Sequence, residues 1–89
     1  MRAIISVTGK NHPGIVAAVS TALSDLNVDI MDISQTIMED FFTMILLGNL
    51  ATSEQPLGKI IEVMNEVGVK QAVTIRVQSE EIFAAMHTL

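Results

Sequence analysis

No cysteine, tryptophan or tyrosine occurs in the 89 residues, and the aromatic residues are three phenylalanines, Phe41, Phe42 and Phe83. The missing cysteine excludes disulfides, thiolate nucleophiles and Cys-based zinc or iron–sulfur centres. Basic residues are few: Arg2, Lys10, Lys59, Lys70 and Arg76 are scattered against ten acidic residues, for a formal net charge of -5. No basic stripe is present to neutralise phosphates, so neither nucleic acid nor an anionic membrane is an expected partner. Long apolar runs are also missing, none approaching the ~20 residues that span a bilayer. The N-terminus reaches Ser6, Thr8 and Lys10 too early for the core of a signal peptide, so the expected location is cytoplasmic.

What is present is aliphatic. Hydrophobic residues make up 49% of the chain, so the core must be built from Ile, Val, Leu, Met and Ala. At this length one core is the limit. The expectation is a single domain over 1–89, with a core of 1–78 and a helical extension of 79–89. So apolar a short chain also tends to hide surface in a subunit interface.

The periodicity changes along the chain. Residues 3–8 are rich in β-branched side chains and Gly9 follows, which predicts a first strand. From Pro13 onward, Ile15, Val16, Val19, Ala22, Leu23 and Leu26 form a stripe of helical spacing. Pro13 suits a first helical turn, with Asn11 or His12 as the cap. Asn27-Val28-Asp29 reads as a turn, and 30–38 as a second strand with Met31, Ile33 and Ile37 on one face and Asp32, Ser34 and Thr36 on the other. After Glu39-Asp40, residues 41–47 form a strand that is apolar on both faces. Ser53 is the expected cap of a second helix with Pro56 in its first turn, the stripe Leu57, Ile60, Ile61, Met64 and Val67, and Gly68 as its stop. Residues 69–78 alternate as a fourth strand with Val73, Ile75 and Val77 inward. Residues 79–89 predict a short helix whose stripe, Ile82, Phe83, Met86 and Leu89, should dock on the sheet or on a second subunit.

This order is the ferredoxin-like βαββαβ plan, an α+β sandwich: a four-stranded antiparallel sheet with two helices on one face, plus a short C-terminal helix. In that plan one sheet face stays open, and the expectation is that Phe42, Met44 and Leu46 lie on it as a dimer contact.

Chemistry-bearing residues are sparse. His12 and His87 are the only histidines and form no metal-ligand pair at short spacing, and the carboxylates Asp25, Asp29, Asp32, Glu39 and Asp40 lack a partner at diagnostic spacing. No metal, cofactor or catalytic group is expected. His87 reads as a helix-end residue. Gly9-Lys10 does not complete a GxxxxGK[ST] or GxGxxG motif. Acylphosphatases share the topology but grip phosphate with an arginine in the first loop, where this chain has only Lys10. The loop Gly9-Lys10-Asn11-His12-Pro13-Gly14 is either a plain strand-to-helix turn or a small anion site at a helix N-terminus.

The motif Lys10-Asn11-His12-Pro13-Gly14-Ile15 after a first strand, with Asn27-Val28-Asp29-Ile30 entering the second, resembles the ACT domain over essentially the whole chain. The segments Asp32-Ile33-Ser34-Gln35-Thr36-Ile37-Met38, Phe42-Thr43-Met44-Ile45 and Ile82-Phe83-Ala84-Ala85-Met86-His87 resemble the small stand-alone ACT proteins of bacteria and archaea, related to the glycine-cleavage regulator. The resemblance implies a homodimeric regulatory module, not an enzyme, that binds an amino acid at the subunit interface. By position, Asn11, His12, Gly14 and Ile15 would form one side of the pocket and Asp29 and Ile30 the other. The family's loop often has an acidic residue then arginine before Pro-Gly; here Asn11 and His12 stand there. With nothing attached, such a module would act through a separate regulated protein. The alternatives are a protein-interaction module without a small ligand and an acylphosphatase-like hydrolase.

Overall fold

The computed structural model describes residues 1–86. Seven elements follow in order: β1 (Arg2–Lys10), α1 (Ile15–Asp25), β2 (Asp29–Met38), β3 (Phe41–Asn49), α2 (Leu57–Gln71), β4 (Val73–Ser79) and α3 (Glu80–Met86). All strand pairs are antiparallel, and the sheet order is β2-β3-β1-β4. This is the ferredoxin-like arrangement.

One core joins the helices to one face of the sheet. Ala3, Ile5 and Val7 of β1 meet Ile15, Val19 and Leu23 of α1 and Ile60 and Met64 of α2, with Ile75 and Val77 of β4 completing it. The same register corrects the expected dimer face. Val7 lies opposite Met44 and Ile5 opposite Leu46, and directly opposed residues project from the same side of a sheet. Phe42, Met44 and Leu46 are therefore buried beneath the helices, at 3%, 0% and 0% exposure. The open face instead carries Phe41, Thr43 and Ile45 of β3. A strand with apolar residues on both faces marks its own parity poorly; pairing with β1 decides it.

Several boundaries moved for local reasons. α1 is capped by Gly14, at φ 94, not by Asn11 or His12, and Pro13 precedes the helix. The Asn11 N–H donates instead to Asp40 O at 2.7 Å, which ties the loop to the β2–β3 turn. Ser53 does not cap α2, whose N-cap is Pro56; its hydroxyl donates to Leu26 O at 2.6 Å. Gly68 does not stop α2, which runs on to Gln71 and ends at Ala72 in the left-handed region, φ 57. A Cβ at Gly68 would stand 2.8 Å from Val73 O. Its bareness lets the end of α2 lie close on β4, so β4 starts at Val73 and not at 69.

β2 carries a bulge between Ile30 and Asp32. The extra residue lets Ile30, opposite Gly48, and Ile33, opposite Leu46, share the helix-side face. Met31 is thereby separated from the face of Ile33 and Ile37 with which the sequence grouped it. α3 meets β1 and β4, and Glu80 forms a two-point ion pair with Arg2 at 2.8 and 2.9 Å. Both partners are roughly half exposed, so the pair orders the chain ends more than it stabilises them. In α3 Phe83 is half-buried and Ile82 exposed. The side chain of Met86 and residues 87–89, which include His87 and Leu89, lie outside the described residues.

Candidate functional site

The loop entering α1 is held from two directions. The two ring nitrogens of His12 lie 2.9 Å from Pro13 O and 2.6 Å from Gln71 O. Whichever ring nitrogen carries a proton donates it to a main-chain carbonyl. His12 thus fastens the loop to the end of α2. Gly14 follows, exposed, with nothing within 4 Å of where a Cβ would stand. The first turn of α1 has no side-chain cap, and Ala18 N–H is the first donor satisfied within the helix, by Gly14 O at 3.0 Å. The N–H groups of Ile15, Val16 and Ala17 are left as an anion-favouring end. The Ile15 side chain itself is buried in the core, so only its backbone can serve a ligand.

Asp29 and Ile30 lie elsewhere. Asp29 pairs with Asn49, which pairs with Arg2, whereas Asn11 is bonded to the turn at the other end of the sheet. The 11 residues of α1 separate the two groups, about 16 Å at 1.5 Å per residue. One protomer therefore brings Asn11, His12, Gly14 and Ile15 together, and Asp29 and Ile30 together, but does not join the two sets.

Around Asp29 there is a groove of about 530 Å³, lined by Ser20, Ser24, Asn27, Val28, Asp29, Ile30 and Thr52. Ser20 and Ser24 are one helical turn apart on α1, outside its apolar stripe. Asn27 is left-handed, φ 57, and its carbonyl accepts the Thr52 hydroxyl at 2.7 Å. With Ser53 on Leu26 O, this clasps the β3–α2 loop to the end of α1 and fixes the groove's rim. Ser20, Ser24, Asn27 and Thr52 were not singled out from the sequence. The two serines were visible there only as polar positions on a helix, and Thr52 arrives through tertiary structure.

Among the described residues, no group of three or more His, Asp or Glu is placed to hold a metal ion, and no helix is long and apolar enough to cross a membrane.

Comparison with known proteins decides the family. The ACT domain family model matches residues 2–78. The chain belongs to the ACT domain family. Among its relatives, a UPF0237 protein of Corynebacterium diphtheriae is 48% identical over 89 residues, covering 100% of both chains. An ACT domain protein from Streptococcus pneumoniae superposes with a TM-score of 0.82 at 35% identity, covering 100% of this chain and 97% of that one. The regulatory subunit of aspartate kinase from Thermus thermophilus shares the ACT fold, with a TM-score of 0.67 at 19% identity, covering 86% of this chain and 50% of that one. ACT domains are regulatory modules, and the fold expected from the sequence is the fold of this family.

Proposed function

We propose that this ACT domain is a non-catalytic cytoplasmic regulator that binds a small amino-acid-like metabolite between two copies of itself and signals to a separate protein. The observation that carries the reading is the position of β2. It is an edge strand of 10 residues, paired with β3 on one side and with no strand of the described residues on the other, with Ile33 and Ile37 exposed on its helix side and Val16 of α1 exposed as well. The loop from Asn11 to Gly14 lies towards one end of it and the Asp29 groove towards the other. Two copies pairing β2 antiparallel, about a two-fold axis, bring the loop of each against the groove of the other.

In that assembly the ligand carboxylate is held by the free N–H groups of Ile15, Val16 and Ala17, with the Asn11 amide beside them. Gly14 allows close approach. The backbone of Asp29 and the wall formed by Ile30 come from the second copy, with the oxygens that line its groove accepting the ammonium group. His12 holds the loop in place through its carbonyl contacts. Occupancy then stabilises one dimer arrangement, which is the means of regulation.

A thermal-shift screen of the twenty amino acids tests the reading. At least one should raise the melting temperature at millimolar concentration, as binding to the folded state alone requires. No shift with any of them would contradict it.

A second reading, a protein-interaction module without a small ligand, is supported by the open sheet face, where Met38 and Phe41 sit opposite each other at 69% and 68% exposure. A hydrolase of the acylphosphatase kind lacks such support. Lys10, the loop's one cation, pairs with Phe41 in register and so shares the open face, away from the end of α1.

A further inference from the structure

We propose that His12 is a pH-sensitive latch: the protonated ring locks the loop that enters α1 onto the end of α2, and the neutral ring loosens it. The inference goes beyond the reading above and does not depend on what the loop binds.

The surroundings of the ring carry the argument. Both nitrogens are aimed at main-chain oxygens, Nδ1 at Pro13 O, 2.9 Å away, and Nε2 at Gln71 O, 2.6 Å away. A carbonyl oxygen accepts a hydrogen bond and cannot donate one. An imidazolium, with two N–H groups, satisfies both contacts at once and does so with charge-assisted bonds. A neutral imidazole has a single N–H, so in either tautomer a ring lone pair is left facing a carbonyl oxygen. One of the two contacts then turns from attraction to repulsion.

The end of α2 favours the charged form for a separate reason. Gln71 is the last residue of this 15-residue helix, and the carbonyls there make up its negative end, where a cation is stabilised. The contact to Gln71 O is also partly buried, so water does not freely replace a lost donor. Two links hold the loop when the ring is charged, and one when it is neutral.

The other charged residues on the elements around the latch are Lys10 at the end of β1, Glu39 and Asp40 in the β2–β3 turn, and Lys70 beside Gln71. The first turn of α1 has no acid, and Val73, Thr74 and Ile75 at the start of β4 carry no charge. Of these residue types histidine is the one whose charge ordinarily changes between about pH 5 and 8. The amino group of Met1 lies at the other end of β1 from the loop.

The test follows loop and ring together by NMR on the full chain. The Asn11 amide, which donates to Asp40 O at 2.7 Å, reports on the loop, because it exchanges with solvent when the loop leaves the β2–β3 turn. Its protection factor, which removes the intrinsic effect of pH, is measured between about pH 5 and 8 beside the ring nitrogen shifts of His12. The expected result is a protection factor that falls about fivefold or more in step with the loss of ring charge, the scale of one hydrogen bond lost. His12→Gln, whose amide does not titrate, should remove the pH dependence, whereas His87→Gln, at the chain's other histidine, should leave it in place. A protection factor that stays flat while the ring titrates, one that falls out of step with the ring, or a fall that survives in His12→Gln overturns the proposal.

Discussion

The two edge strands of the sheet are finished differently. β4 has seven residues, and α2 packs along it, burying Ile75 at 4% exposure and Val77 at 9%. β2 has ten residues, all exposed except the half-buried Ile30; Ile33 and Ile37, on the helix side, stand at 44% and 54%. The cause is the helix above each. α2, four residues longer than α1, is drawn close on β4 by Gly68, whereas α1 meets β2 at few points. One edge strand has its inner face covered by its own chain. The other, long and apolar, is the kind of edge that proteins cover or pair.

Matched substitutions sharpen this contrast. Ile75→Lys places a charge in the core and should cost roughly 4 kcal/mol, enough to unfold most of the protein; denaturant unfolding measures it. Gly68→Ala forces a Cβ against Val73 O, a backbone atom that cannot swing aside, and should cost about 2 kcal/mol. The same unfolding curves check that value, and a neutral result would mean that close packing does not seal β4. Ala72 holds a left-handed conformation at the α2–β4 corner. Ala72→Gly relieves that strain and should raise stability by about 0.5–1 kcal/mol, seen as a higher melting temperature. Ile37→Lys, the counterpart of the first substitution on the open edge, should change protomer stability by no more than about 0.5 kcal/mol. In sedimentation velocity it should shift the population from dimer to monomer.

Much of this was legible in the sequence. Alternation and helical stripes marked six of the elements within a few residues and the last as a short helix, because periods of 2 and 3.6 are hard to confuse over such lengths. The parity of β3 was not legible. Residues 41–47 are apolar apart from Thr43, too slight a mark to distinguish the face of Met44 from that of Ile45; the partner strand does. Gly68 carried a misleading local signal, since a glycine after an apolar stripe reads as a stop while this one serves a tertiary contact. The site divides in the same way. The Asn11–Gly14 loop was readable as a motif, whereas the groove depends on Thr52 meeting Asn27 across 25 residues of chain. That Asp29 and Asn11 lie at opposite ends of the sheet follows from register, which sequence alone does not state.

The central claim is that β2 is completed by a second copy and that the ligand site exists only there. Amide hydrogen exchange along β2, followed as the protein is diluted, tests it most directly. The account predicts that N–H groups of Asp29–Met38 directed away from β3 are protected at high concentration, lose protection on dilution, and regain it when a bound amino acid is added. Rapid exchange of those groups at every concentration, with or without the amino acid, would contradict it.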